Sequence, residues 1–151
     1  QGGVDQFKIT PDGASVVYTA IQDTANRREL YVVPIAGGQA TKLNGPLVAG
    51  GDVNVFVLDP ATKRALYIAD QDTNETAELY SVPFAGGSAV KLNPPLVAGG
   101  NVSSTGLRVD PSTKRAVYVA DQEVNDRTEL FSVPATGGMS TRTVLLACPS
   151  V

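Results

Sequence analysis

Ala65-Leu66-Tyr67-Ile68-Ala69-Asp70-Gln71-Asp72, then a polar interval, then Glu78-Leu79-Tyr80-Ser81-Val82-Pro83-Phe84-Ala85-Gly86-Gly87, decides how this chain folds, because it occurs three times. The earlier copy runs Val16-Val17-Tyr18-Thr19-Ala20-Ile21-Gln22-Asp23 and Glu29-Leu30-Tyr31-Val32-Val33-Pro34-Ile35-Ala36-Gly37-Gly38. The later copy runs Ala116-Val117-Tyr118-Val119-Ala120-Asp121-Gln122-Glu123 and Glu129-Leu130-Phe131-Ser132-Val133-Pro134-Ala135-Thr136-Gly137-Gly138. Tyr18, Tyr67 and Tyr118 stand 49 and 51 residues apart, as do Pro34, Pro83 and Pro134.

A period of this size marks a repeat architecture, and four-stranded propeller blades run from about 40 to 50 residues. Within a period the apolar residues form short β-branched and aromatic runs between Gly, Pro, Asn and Asp, without helical spacing. The second period therefore reads as four strands: Val53 to Leu58, Arg64 to Ala69, Ala77 to Val82 and Ser88 to Leu92. The expected fold is all-β, with three four-stranded antiparallel sheets in one domain over 1–151 and blades near 3–45, 52–94 and 101–146.

In the first unit Val4 to Thr10 alternates as a strand and turns at Pro11-Asp12-Gly13, where Pro fixes φ and Gly accepts positive φ. In the later units the turn becomes Asp59-Pro60-Ala61-Thr62-Lys63-Arg64 and Asp110-Pro111-Ser112-Thr113-Lys114-Arg115, whose aspartates can bond backbone N–H groups two residues on. The paired bases at these turns are expected at solvated hairpin tips. The connector Pro46-Leu47-Val48-Ala49-Gly50-Gly51 recurs as Pro95-Leu96-Val97-Ala98-Gly99-Gly100. The two extra residues of the third unit fall in Asn101 to Gly106, where a bulge or widened loop is expected. The apolar tail Thr143 to Pro149 is expected to pair with something.

The chain has 42% hydrophobic and 18% charged residues, the balance of a globular protein. A net charge of −3 offers no basic face for phosphate, so nucleic acid is not an expected partner. No apolar run is long enough for a spanning helix. Gln1-Gly2-Gly3-Val4 matches the end of a connector, which suggests a mature product or a fragment cut at a blade boundary. Cys148 is the only cysteine, so no disulfide forms within the chain, and a free thiol on the tail is expected.

With no histidine, the sequence excludes Ser-His-Asp and Cys-His constellations and His-ligated zinc within the chain. One cluster has the composition of a cation site: Asp70, Asp72 and Asn74 with Glu78, echoed by Asp121, Glu123 and Asn125 with Glu129. Alternating oxygen donors suit Ca²⁺, which takes six to eight oxygens. In the competing structural reading, Asp72 and its counterparts Asp23 and Glu123 cap the loop, while Glu29, Glu78 and Glu129 bond neighbouring backbone or a Thr.

Thr10-Pro11-Asp12-Gly13, a Val-x-Tyr strand at Val16 to Tyr18, Glu29-Leu30-Tyr31-Val32-Val33-Pro34 and Gly37-Gly38 together resemble the repeat of TolB-like, WD-type β-propellers. The resemblance covers almost the whole chain. It implies three blades of a ring that has six or more, closed by homodimerisation or by missing blades of a longer parent. It also implies a periplasmic or extracellular location and a non-catalytic module that binds or scaffolds a protein or peptide, with no cofactor required. The alternatives are a propeller fragment of a larger hydrolase or lyase whose catalytic residues lie outside this chain, and a calcium-stabilised structural repeat. Acidic loops and connectors are expected to share one end of the propeller.

Overall fold

The structure, a computed structural model, describes residues 2–144. Cys148 and most of the apolar tail lie outside the described residues; Thr143 and Val144 belong to the last strand. Among the described residues there is no helix, and twelve strands form three sheets of four. The first sheet holds β1 (Val4–Ile9), β2 (Ser15–Ala20), β3 (Glu29–Pro34) and β4 (Thr41–Lys42). The second holds β5 (Val53–Asp59), β6 (Arg64–Ala69), β7 (Glu78–Pro83) and β8 (Val90–Lys91). The third holds β9 (Arg108–Asp110), β10 (Arg115–Ala120), β11 (Glu129–Pro134) and β12 (Thr141–Val144). Each is an antiparallel meander in sequence order.

The two middle strands pair in the same register throughout: Tyr18 opposite Tyr31, Tyr67 opposite Tyr80, Tyr118 opposite Phe131. These rings stack at centroid separations of 5.5, 5.3 and 5.5 Å, each pair worth about 1 kcal/mol beyond its buried area. A slip of one residue would turn every stack to the other face of its sheet, so the repeated aromatics fix the register.

The second sheet is apolar on both faces because a neighbouring sheet lies against each. One core joins Val17, Leu30 and Leu43 of the first sheet to Phe56, Tyr67 and Tyr80 of the second. The other joins Leu66, Ile68 and Leu79 of the second to Leu107, Tyr118 and Phe131 of the third. The repeating junction is an aliphatic face of one blade against the aromatic face of the next.

Local differences from the sequence expectation have identifiable causes. In the first two blades the fourth strand shrinks to two residues because Asn44 and Asn93 turn their side-chain oxygens to the N–H groups of Leu30 and Leu79, both at 2.7 Å, in place of a further ladder bond. The first strands of the first two blades carry an irregularity between Val4 and Gln6 and between Val53 and Val55. In the third blade this widens into a loop, leaving an isolated Val102–Ala120 bridge before β9, where the two extra residues were expected.

The Asp-Pro turns form as expected, with Ala61 N–H and Ser112 N–H donating to Asp59 and Asp110 at 3.1 and 3.0 Å. Lys63 and Lys114 take positive φ there, 54° and 56°. Arg64 and Arg115, expected among solvated tips, instead fold back along the sheet. Arg64 donates from Nε to Ser81 Oγ at 2.7 Å, and Arg115 to Ser132 Oγ at 2.6 Å.

Candidate functional site

The loops between second and third strands and the connectors between blades lie at one end of the molecule, as the sequence predicts. Val48 N–H donates to Gln71 O at 3.0 Å and Val97 N–H to Gln122 O at 3.2 Å, so each connector is pinned to the loop of the following blade. The approach is close enough to require glycine. Gly50 has φ +84°, and a Cβ there would stand 2.6 Å from Asn74 Oδ1; Gly99 has φ +82° and meets Asn125 Oδ1 at 2.9 Å. Both asparagines of the candidate calcium sets therefore pack on connectors.

In each blade one strand-four cation gathers two carboxylates. Lys42 Nζ lies 3.1 Å from Asp23 and 2.8 Å from Glu29; Lys91 Nζ lies 2.7 Å from Asp72 and 2.8 Å from Glu78. Arg142 lies 2.6 Å from Glu123 and 3.2 Å from Glu129. The strand glutamates are buried and the loop acids are open to water. Tyr31 and Tyr80 hydroxyls donate to the second oxygen of Glu29 and Glu78, both at 3.0 Å. In the third blade Phe131 has no hydroxyl, and Arg127 approaches Glu129 at 3.1 Å.

These contacts set the titration of the cluster. The hydrogen bond from Lys91 holds Asp72 below its ordinary range against the opposing effect of burial, as Lys42 does for Asp23. Burial works against the charge on Lys91, but hydrogen bonds to Asp72 and Glu78 outweigh it and raise its pKa. Burial, reinforced by Glu78, pushes the Tyr80 hydroxyl well above its usual range.

The eight candidate ligands thus divide into separate groups. Asp72 with Glu78 and Glu123 with Glu129 converge, each pair on a side-chain cation. Asp70 and Asp121 turn away and serve backbone: Asp70 accepts from Asp52 N–H at 2.8 Å and Glu75 N–H at 3.3 Å, and Asp121 from Asn101 N–H and Asp126 N–H. Loop capping therefore falls to Asp70 and Asp121, not to Asp72 and Glu123. Asn74 and Asn125 lie over Gly50 and Gly99. Among the described residues no three His, Cys, Asp or Glu side chains are grouped to hold a metal ion.

The site residues the sequence reading omits are Lys42, Lys91 and Arg142. Their signal was present in Thr41-Lys42-Leu43-Asn44 and Val90-Lys91-Leu92-Asn93, a repeat as regular as the acidic one. A second omission concerns size. Arg27, Thr76 and Arg127 occupy equivalent positions, and Arg27 reaches across to Val48 O at 3.3 Å. At Thr76 the short side chain leaves a cleft of about 370 Å³ lined by Thr73, Thr76, Glu78, Lys91, Pro95 and Leu96. Its walls are the second blade's loop and the connector to the third, and the Glu78–Lys91 pair lines it.

No family model matches the chain, and no curated protein matches it. Solved structures do. A puromycin hydrolase crystal structure superposes with TM-score 0.64 at 20% identity, covering 95% of this chain and 22% of that one. A putative TolB from Agrobacterium tumefaciens gives 0.61 at 19% identity, covering 88% of this chain and 46% of that one. TolB from Acinetobacter baumannii gives 0.62 at 14% identity, covering 95% and 33%. The chain spans less than half the length of each of these. At such identities the likeness concerns the fold, and three meandering four-stranded sheets stacked aliphatic face to aromatic face are blades of a β-propeller.

Proposed function

We propose that this chain is a non-catalytic propeller module that binds an extended peptide or protein segment on its loop-and-connector end. The observation that carries the reading is the cleft opened by Thr76 where the preceding blade has Arg27. Its lining is mixed: Pro95, Leu96 and Val97 offer apolar contact, and Thr73 and Thr76 offer hydroxyls. Around it Glu75 and Asp126 are exposed carboxylates with no ion-pair partner among the described residues, which favours a ligand with basic flanks.

Two features support binding over catalysis. The chain has no histidine, and each buried glutamate of the rim is already paired with a cation. That pairing also supports a site needing no metal, because Lys42, Lys91 and Arg142 supply the positive charge that Ca²⁺ would bring. A location outside the cytoplasm accords with the TolB-like resemblance; among the described residues no helix is long and apolar enough to cross a membrane.

The test is selection of peptides from a displayed random library on the immobilised protein, followed by binding to Thr76→Arg. That substitution lets an arginine reach Val97 O as Arg27 reaches Val48 O, closing the cleft while keeping the fold. The reading predicts enriched peptides with basic residues whose binding T76R weakens at least about tenfold. Failure to enrich any peptide, or equal binding by T76R, contradicts it.

A further inference from the structure

The stack of blades ends in two apolar faces that no blade among the described residues covers, and they are the two halves of the junction it already makes twice. At the first end, Val4, Phe7 and Ile9 hold the positions of Val53, Phe56 and Leu58. Val53 and Phe56 are fully buried against the first blade, whereas Val4, Phe7 and Ile9 are 62%, 69% and 54% exposed. At the other end, Val117, Val119 and Leu130 hold the positions of Leu66, Ile68 and Leu79. The latter three are fully buried against the third blade, while Val117, Val119 and Leu130 are only partly so.

Two polar details match the same template. Ser81 Oγ accepts from Arg64 and donates across the junction to Ala135 O at 2.6 Å. Ser132 is held by Arg115 in the same way, has no acceptor among the described residues, and corresponds to Ser81 as Ile35 corresponds to Ala135. Lys8 Nζ sits 5.7 Å from the Phe56 ring centroid, and Arg108, its counterpart in the third blade, is exposed on the open side.

We infer that the occupant of both open faces is a second copy of this chain, joined head to tail so that the third blade of each copy packs on the first blade of the other and two copies close one ring of six blades. The inference is independent of the loop-end binding proposed above. Ser132 of one copy then donates to Ile35 O of the other, and Arg108 lies over Phe7. One chain carries both complementary surfaces, so a two-fold axis satisfies both at once and leaves no face open. One copy covers 46% of the Agrobacterium TolB chain, so two copies supply a comparable span.

The test is molar mass by light scattering during size-exclusion chromatography over a hundredfold concentration range. The expected species has twice 15.7 kDa. Phe7→Arg and, at the opposite face, Val119→Arg each raise the dimer dissociation constant roughly a hundredfold or more. Because Phe7 is on the surface of the single chain, F7R keeps the native far-ultraviolet spectrum. A monomer at every concentration overturns the inference and leaves the faces to another polypeptide. Masses that keep growing with concentration also overturn it, since they mean open stacking without closure, and so does an F7R protein that stays dimeric.

Discussion

Phe7 and Phe56 occupy the same position of successive blades, yet Phe7 is 69% exposed and Phe56 is fully buried against the blade before it. What separates them is the presence of a preceding blade, so their truncations should differ in cost. Phe56→Ala opens a cavity in a closed junction and should lower stability by about 3–4 kcal/mol. Phe7→Ala, measured by urea unfolding at concentrations where single chains prevail, should cost less than about 1 kcal/mol.

Removing the rim cation tests whether it neutralises the glutamates. Lys91→Met leaves Glu78, whose side chain is 8% exposed, without its partner. The loss should be about 2 kcal/mol, below that for a fully buried pair because the Lys91 side chain is 35% exposed, and should lower Tm by roughly 5 °C. Arg142→Met should cost less, since Arg127 also contacts Glu129. Adding Ca²⁺ to the native protein should leave Tm unchanged; a rise would show the carboxylates exchanging lysine for metal.

Stability should be flat near neutral pH and fall at both ends. Asp72 and Asp23 titrate below their ordinary value of 3.8 when folded, so their contribution is present above that pH and is lost as pH drops through the depressed values. Lys91 and Tyr80 are raised above 10.5 and 10.0, so their contribution is present below those values and is lost as pH climbs through the raised ones. Thermal unfolding across pH checks both limbs. In K91M the alkaline limb should flatten.

The connector glycines are needed for conformation as well as for space. Gly50→Ala places a side chain at φ +84° and 2.6 Å from Asn74 Oδ1. It should cost about 1–3 kcal/mol. Pairing it with Asn74→Ala should recover only part of this, because the second change relieves the clash and leaves the backbone strain. Denaturant titration of the single and double variants separates the two effects.

The second and third strands of the middle blade were legible in the sequence because their β-branched and aromatic runs are bounded by Asp, Gly and Pro: Arg64–Ala69 forms where expected, and the strand expected from Ala77 to Val82 forms one residue on, at Glu78–Pro83. The fourth strands were less so. Asn93 belongs to the same apolar-flanked run as Lys91, and only its side-chain bond to Leu79 N–H shows that the ladder stops there. At the rim, the acidic residues were visible as a cluster, but their partner Lys91 lies 13 residues beyond Glu78 and meets it across the β7–β8 pairing. Local spacing thus suggested a cation site and could not supply the cation already there. The cleft at Thr76 was within reach by comparing the units, since arginine stands at both equivalent positions.

The chain contains no tryptophan, so a single Phe7→Trp substitution reports on the first open face alone. Followed by fluorescence during dilution, its emission should be that of a buried indole in concentrated solution and shift to that of an exposed one as copies separate. Emission that stays exposed at every concentration would contradict the account of a blade face awaiting its partner.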